Sequence, residues 1–331
     1  MPTSVLICDD SALARKQMAR ALPPGLDGAV TFAGNGAEGL EAIRAGKGEV
    51  LFLDLNMPVM DGYEVLAAIR HEDLPTLPIV VSGDIQPEAR QRVMGLGALE
   101  FIRKPVDADE IRRIAEKYGL LGGAPAAPAA SPAAEVTVDR FDGYREIANV
   151  AMGRAADLLA RLLDAFVIMP VPNVNMIEAA ELRMALAAVG DGQRVSAVCQ
   201  GFIGPGVAGE VLLIFNENSF RDMADLMHHE GELDDAAELE LLMDTSSVVT
   251  SACLSGIAEQ LDLPMSLGHP MVLGRHVDTG ELLAGELQWK QTLAVEMSLA
   301  IENRNVSCDS LILFTEDSLP TLDERIGILL E

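Results

Sequence analysis

Val50-Leu51-Phe52-Leu53-Asp54-Leu55-Asn56-Met57-Pro58-Val59-Met60-Asp61-Gly62 runs from four apolar residues into a carboxylate and then into turn-forming residues. A short apolar run bounded this way reads as a strand, here Val50 to Asp54, with its acid at the carboxyl end. Working outward, the same alternation of short apolar run and amphipathic helical segment covers Ser4 to about Leu121, with further strands at Val5–Cys8, Val30–Ala33, Ile79–Ser82 and Glu100–Arg103. Five βα units predict an α/β fold whose five-stranded parallel sheet is doubly wound by helices. Asp9 and Asp10 end the first strand, Asp54 the third, Ser82 the fourth and Lys104-Pro105 the fifth. In an open parallel sheet those ends converge on one crevice, where ligands bind.

Three crowded carboxylates repel one another unless a hard cation joins them, and Mg2+ with oxygen ligands suits such a site. Asp54 would then be a nucleophile for a phosphoryl group whose oxygens Lys104 neutralises while the Ser82 hydroxyl donates a hydrogen bond. These residues, with Asn56-Met57-Pro58 and Asp61-Gly62, resemble the receiver domain of bacterial response regulators over residues 1–121. The resemblance implies a two-component phosphorelay protein, phosphorylated at Asp54 by a histidine kinase. It also implies Mg2+ held by Asp9, Asp10, Asp54 and the Asn56 backbone, with Ser82 and Phe101 reporting the phosphorylated state. Gly34-x-Gly36-x-x-Gly39 has the form of a dinucleotide fingerprint, but it does not follow the first strand of its unit, and that strand ends in two acids that would repel a pyrophosphate. A tight turn is the expected role of these glycines.

The 331 residues are enough for two domains, and the formal charge of -27 repels nucleic acid and acidic lipid, so the expected partner is a protein. Cys8, Cys199, Cys253 and Cys308 lack zinc or CxxC spacing and read as reduced core thiols. No signal peptide or membrane span is expected, which makes the expected location cytoplasmic. Residues 122–137 are rich in Ala and Pro and read as an extended linker, leaving 138–331 as a second domain.

That second region repeats itself. Asp142-x3-Glu146-x2-Asn149-x22-Pro172 returns 98 residues later as Glu240-x3-Asp244-x2-Ser247-x22-Pro270. Val211–Phe215 before Asn216-Glu217-Asn218-Ser219 is likewise echoed by Leu311–Phe314 before Thr315-Glu316-Asp317-Ser318, at an offset of 99. Two copies predict an α+β pseudo-twofold domain, each half a long helix, several strands and a shorter helix such as Ser219–His228 or Leu322–Leu330. At about 100° per residue, Asp142, Glu146 and Asn149 share one polar sector. Ile147, Val150, Ala151, Ala155, Leu158 and Leu162 cover the opposite side, so burying that stripe is expected to present Glu146 and Asn149 to solvent or to a partner. Glu240, Asp244, Ser247, Ser251 and Ser255 form the matching polar face of the second helix.

The doubled acid-x2-amide pattern resembles the CheC, CheX and FliY family of chemotaxis phosphatases, and the length fits the CheC type. The resemblance implies a protein phosphatase, a hydrolase acting on the aspartyl phosphate of a CheY-like receiver. Glu146 would pair with the substrate's active-site lysine and Asn149 would orient a water for attack on phosphorus. It also admits a CheD-like partner. In the second copy Asp244 replaces the glutamate and Ser247 the asparagine, and a shorter acid with a hydroxyl reaches less far, so that site is read as degenerate. Two alternatives stay open: the chain's own receiver as the substrate, or an adaptor that binds phosphorylated receivers without hydrolysis. Pro172 and Pro270 are expected to shape the chain, His228-His229-Glu230 to cap a helix, and Trp289 and Lys290 to pack or touch a partner.

Overall fold

Every strand expected in the first region is present in the computed structural model, which describes residues 3–26, 28–121, 139–178, 181–182, 194–278, 282 and 291–330. The expected linker at 122–137 lies outside the described residues, as do Trp289 and Lys290. Contacts divide the chain into two compact units, Met1–Glu146 and Ile147–Leu329.

In the first unit, β1 (Val5–Cys8), β2 (Val30–Ala33), β3 (Val50–Leu53), β4 (Leu77–Ser82) and β5 (Glu100–Arg103) form a parallel sheet in the order β2-β1-β3-β4-β5. The helices between and after them are α1 (Ala12–Ala21), α2 (Gly36–Arg44), α3 (Gly62–Glu72), α4 (Pro87–Leu96) and α5 (Ala108–Lys117). Alternate residues of β1 and β3 enter opposite core layers: Leu6, Leu51 and Leu53 lie in one, and Val5, Ile7, Val50 and Phe52 in the other. Both faces are therefore covered, which is why these strands read as unbroken apolar runs. Ser11 caps α1, Asn35 caps α2, and Asp61 with Glu64 closes a capping box on α3, so each helix begins on a polar residue just past a strand or turn.

Gly34 lies in the bend between β2 and α2, as expected of a turn residue, but Gly36 and Gly39 do not. A Cβ on Gly36 would stand 2.6 Å from the Met60 carbonyl oxygen, and one on Gly39 would stand 2.8 Å from Cys8 Sγ. Gly36 and Gly39 belong to the start of α2, and their missing side chains let that helix sit close against its neighbours.

The second unit and the helix leading into it begin with α6 (Arg140–Leu163), followed by β6 (Val167–Ile168), β7 (Asn173–Glu178), β8 (Arg194–Gly204), β9 (Val207–Asn216) and α7 (Ser219–Leu226). The second half follows as α8 (Asp235–Leu261), β10 (Ser266–Leu267), β11 (Met271–Asp278), β12 (Gln291–Ile301), β13 (Ser307–Phe314) and α9 (Leu319–Leu330). All eight strands join one sheet, ordered β10-β8-β9-β13-β12-β6, with β11 also on β8 and β7 also on β12. The expected twofold is visible in the register. Leu212 pairs with Leu311, its own repeat equivalent, as residues flanking a local twofold axis must. The halves also exchange strands, since β6 and β7 pair with β12 of the second half while β10 and β11 pair with β8 of the first.

Pro172 and Pro270 lie in the short breaks between β6 and β7 and between β10 and β11, in keeping with a shaping role. Gly256 of α8 lies against α6, where an added Cβ would stand 2.6 Å from the Ala151 carbonyl oxygen. By length and composition α8 could cross a membrane, but just over half of its most apolar window is buried inside the protein, including Leu241, Leu242, Val249, Leu254 and Ile257. The helix expected over Ser219–His228 ends two residues earlier, and His228, with φ 55°, leads the chain away while the His229 amide donates to the Ala224 carbonyl.

Candidate functional site

The sheet order of the first unit places β1, β3, β4 and β5 side by side, so their carboxyl ends deliver Asp9, Asp10, Asp54, Ser82 and Lys104 to one crevice. Asp54 follows β3 directly and its amide donates to the Cys8 carbonyl at 2.9 Å, which fixes its place beside β1. Gly62 lies against the Asp54 backbone, where any Cβ would collide with its carbonyl oxygen. The Lys104–Pro105 peptide is cis. Lys104 Nζ lies 2.8 Å from Asp9 Oδ2 and 3.5 Å from Asp54 Oδ1, and all three side chains are buried.

One carboxylate oxygen from each of Asp9, Asp10 and Asp54 lies within 4.8 Å of the others, and neither Asp54 oxygen has a hydrogen-bond partner among the described residues. Burial and the neighbouring Asp9 push Asp10 up to about 6. Burial also raises Asp54 well above the ordinary carboxylate range, against the pull of Lys104. For Lys104, burial would lower the ammonium, but Asp54, Asp9 and Glu146 outweigh it and hold the lysine charged. Carboxylates this strained by mutual repulsion, all presenting oxygen, fit a hard divalent cation of the Mg2+ type. The Asn56 backbone lies in the bend just after Asp54, and Ser82 is fully buried with its Oγ accepting from the Asp84 amide at 3.1 Å. Phe101 is half-buried on the α3–α4 core layer. Cys8 beneath the acids is driven up to about 12 by burial and by Asp9 and Asp54, so it is an inert thiol.

Two residues escaped the sequence reading. The Ser11 amide donates to Asp9 Oδ1 at 2.9 Å, and Arg15 Nη1 donates to the Asp9 carbonyl at 2.5 Å, so the start of α1 orients the acid that grips Lys104. The only signal in the chain was a helix-capping serine directly after the two acids.

Glu146 and Asn149 are not open to solvent. Glu146 belongs to the first unit by its contacts, and its Oε1 lies 3.5 Å from Lys104 Nζ. Only 7% of Glu146 and 6% of Asn149 is exposed. Burial raises the Glu146 carboxyl, with Lys104 offsetting part of the rise. The apolar stripe expected on α6 is also shorter than foreseen. Leu158 and Leu162 are 52% and 55% exposed, and Leu159 and Ala156 are buried in their place. On α8 the expected polar face holds: Glu240, Asp244, Ser251 and Ser255 are exposed and Ser247 is half-buried, its Oγ donating back to the Met243 carbonyl at 2.9 Å.

Residues 5–116 match the family model of the response regulator receiver domain. This stretch is a receiver domain. Among curated relatives, the probable transcriptional regulatory protein NarL of Mycobacterium tuberculosis is 37% identical over 110 residues, covering 32% of this chain and 50% of that protein. A protein-glutamate methylesterase/protein-glutamine glutaminase of Symbiobacterium thermophilum is 34% identical over 136 residues, covering 40% of this chain and 37% of that protein. The chain thus spans half or less of the length of these two relatives. Among solved structures, Thermotoga maritima FliY covers 58% of this chain and 98% of its own, at 20% identity and a TM-score of 0.45.

Proposed function

We propose that the protein is a chemotaxis-type response regulator that takes a phosphoryl group on Asp54 from a histidine kinase, and whose C-terminal domain hydrolyses the aspartyl phosphate of a CheY-like receiver. The observation that carries this reading is the approach of Glu146 to a receiver lysine, at 3.5 Å. Glu146 is the acid of the doubled motif, and a receiver lysine is the kind of partner that the phosphatase resemblance assigns to it. Receivers share this lysine at the same strand end, so a side chain complementary to one such pocket suits another.

In the phosphorylation step an Asp54 oxygen attacks the phosphorus of phosphohistidine, the P–N bond breaks, and the imidazole leaves. In the hydrolytic step a water oxygen attacks the aspartyl phosphate in line, the carboxylate departs, and inorganic phosphate forms. Asn149 can both accept from and donate to that water, which sets its direction, while the acid fixes the receiver lysine. Asp9, Asp10, Asp54 and the Asn56 backbone would hold Mg2+, which when bound offsets charge on the phosphoryl oxygens. Lys104 contributes its own charge to the same oxygens, and Ser82 a hydroxyl.

A second reading is favoured by the same contact, because the lysine that Glu146 meets is the chain's own. Under it the motif shortens the lifetime of the phosphate on Asp54. The two readings separate in one experiment: phosphate release from a purified CheY-type receiver with and without the full chain, beside the Asp54 phosphate lifetime at several dilutions. Faster release from the added receiver supports the first. A short lifetime that does not lengthen on dilution supports the second, and no effect on either substrate defeats both.

A further inference from the structure

In the second unit, β11 carries two residues more than the stretch of β8 it pairs with: one at Leu273 and one in the Arg275–His276 bulge. Gly274 pairs with Ala197 and Val277 with Val195, so Arg275 and His276 together face Ser196. A bulge of this kind re-aims side chains, and His276 takes the left-handed conformation, φ 53°, within it. Both side chains reach acids. Arg275 Nη1 donates to the Asp235 carbonyl at 3.1 Å, and Nη2 lies 3.3 Å from Glu238 Oε2. His276 Nε2 lies 3.2 Å from the same Glu238 oxygen, and its Nδ1 lies 3.0 Å from Glu217 Oε1. The His276 amide donates to Ser196 Oγ at 3.4 Å, and the Phe220 ring centroid lies 6.1 Å from the imidazole. Asp235 and Glu238 occupy the first turn of α8, while Glu217 stands in the turn between β9 and α7.

An ionised carboxylate only accepts hydrogen bonds, and a neutral imidazole has one donor and one acceptor nitrogen. Only the doubly protonated ring can donate to Glu217 and Glu238 together. We propose that His276 is a proton-dependent latch: with both nitrogens protonated it ties the first turn of α8 to β11 and to the β9–α7 turn, and on losing a proton it releases one of the two acids. Glu217 and Glu238 are the two acids that face the ring. Arg275 is the opposing positive charge beside the ring, and Glu238 and Asp235 hold it in turn. The helix so held carries Asp244 and Ser247 within about three turns of Glu238, so the latch sets the placement of the second motif copy.

Amide hydrogen exchange on the full chain tests this at about pH 6 and about pH 8, the span over which an ordinary histidine changes charge, after correction for the intrinsic rate. Protection of the α8 amides from Leu239 to Met243 is expected to fall about tenfold between those conditions, as one end of the helix loses its tie. Glu217→Gln is expected to remove the difference, because a glutamine amide can donate to the unprotonated Nδ1 and satisfy the neutral ring. Unchanged protection in the native chain, or a pH effect that persists in Glu217→Gln, overturns the latch. Nitrogen chemical shifts of the His276 side chain give a reading that does not depend on any variant: two N–H groups at the lower pH are required, and one alone refutes the proposal.

Discussion

On α6, Glu146 and Asn149 are buried, and the acid rests beside Lys104; on α8, Asp244 is exposed and the Ser247 hydroxyl is bonded to the carbonyl of its own helix. The spacing of the two motifs is the same, and the local twofold that relates them is seen in the Leu212–Leu311 pair. They also differ in chemistry at two positions. A glutamate spans one methylene more than an aspartate, enough to matter for reaching an ammonium. An asparagine has donors and an acceptor to spend outside its helix, while serine satisfies itself by bonding back four residues. A repeated helical face therefore fixes which side chains share a direction, and the residue types decide whether that direction leads to a partner.

The sharpest way to break this comparison is to truncate both copies. Glu146→Ala and Asn149→Ala are each expected to lower phosphate release at least about a hundredfold, the usual scale for losing a placed water or a fixed charge in a phosphoryl pocket. Asp244→Ala and Ser247→Ala should leave the rate within about twofold. Equal losses from both copies would show that the second site works and that its reading as degenerate is wrong.

A smaller effect is expected where the two helices meet. Gly256→Val places a branched side chain on the 2.6 Å approach to the Ala151 carbonyl and should cost about 2 kcal/mol, measured by urea unfolding. An unchanged midpoint would mean that α6 and α8 can part freely.

The acids of the receiver pocket give a pH dependence of opposite sign to the usual acid denaturation. Asp10 sits at about 6 in the folded chain, against about 4 when unfolded. Between those values the folded state binds a proton that the unfolded state lacks, so stability should rise as pH falls through 6 and level off near 4. The gain should be about 1 kcal/mol, kept modest because Asp10 is only half-buried. Asp10→Asn should abolish it, and Mg2+ added at neutral pH should raise the melting temperature in the native chain more than in the variant. A melting temperature that falls steadily below pH 6 in the native chain would contradict the crowding of Asp9, Asp10 and Asp54.

How much of this was legible in the chain depended on the range of the interaction. The receiver strands were readable because each is an apolar run closed by a functional residue, and parallel pairing lines up those ends wherever the helices lie. The repeat was readable from its offset, and with it the twofold. The burial of Glu146 was not, because helical periodicity describes one element at a time while the lysine it meets is 42 positions earlier in the chain. Leu158 and Leu162 were assigned to the core on the same periodicity, yet both are more than half exposed and Ala156, Leu159 and Ala160 are buried. His276 gave no signal at all: its role comes from a bulge, and a bulge depends on the register of two strands.

The smallest expected effect bears on the second copy alone. If Ser247 has no substrate to serve, its bond to the Met243 carbonyl is a local competitor of the helix, and alanine should be the better residue there. Ser247→Ala is then expected to stabilise the protein by about 0.5 kcal/mol, a shift of one or two degrees in melting temperature for a domain of this size. Asn149→Ala on the other helix should go the opposite way, because it removes a buried amide and leaves a gap. Paired melting curves compare the two substitutions under one set of conditions. A loss of stability at Ser247 equal to that at Asn149 would mean that both copies are held by contacts of similar strength, and the asymmetry between α6 and α8 would then reside in catalysis alone.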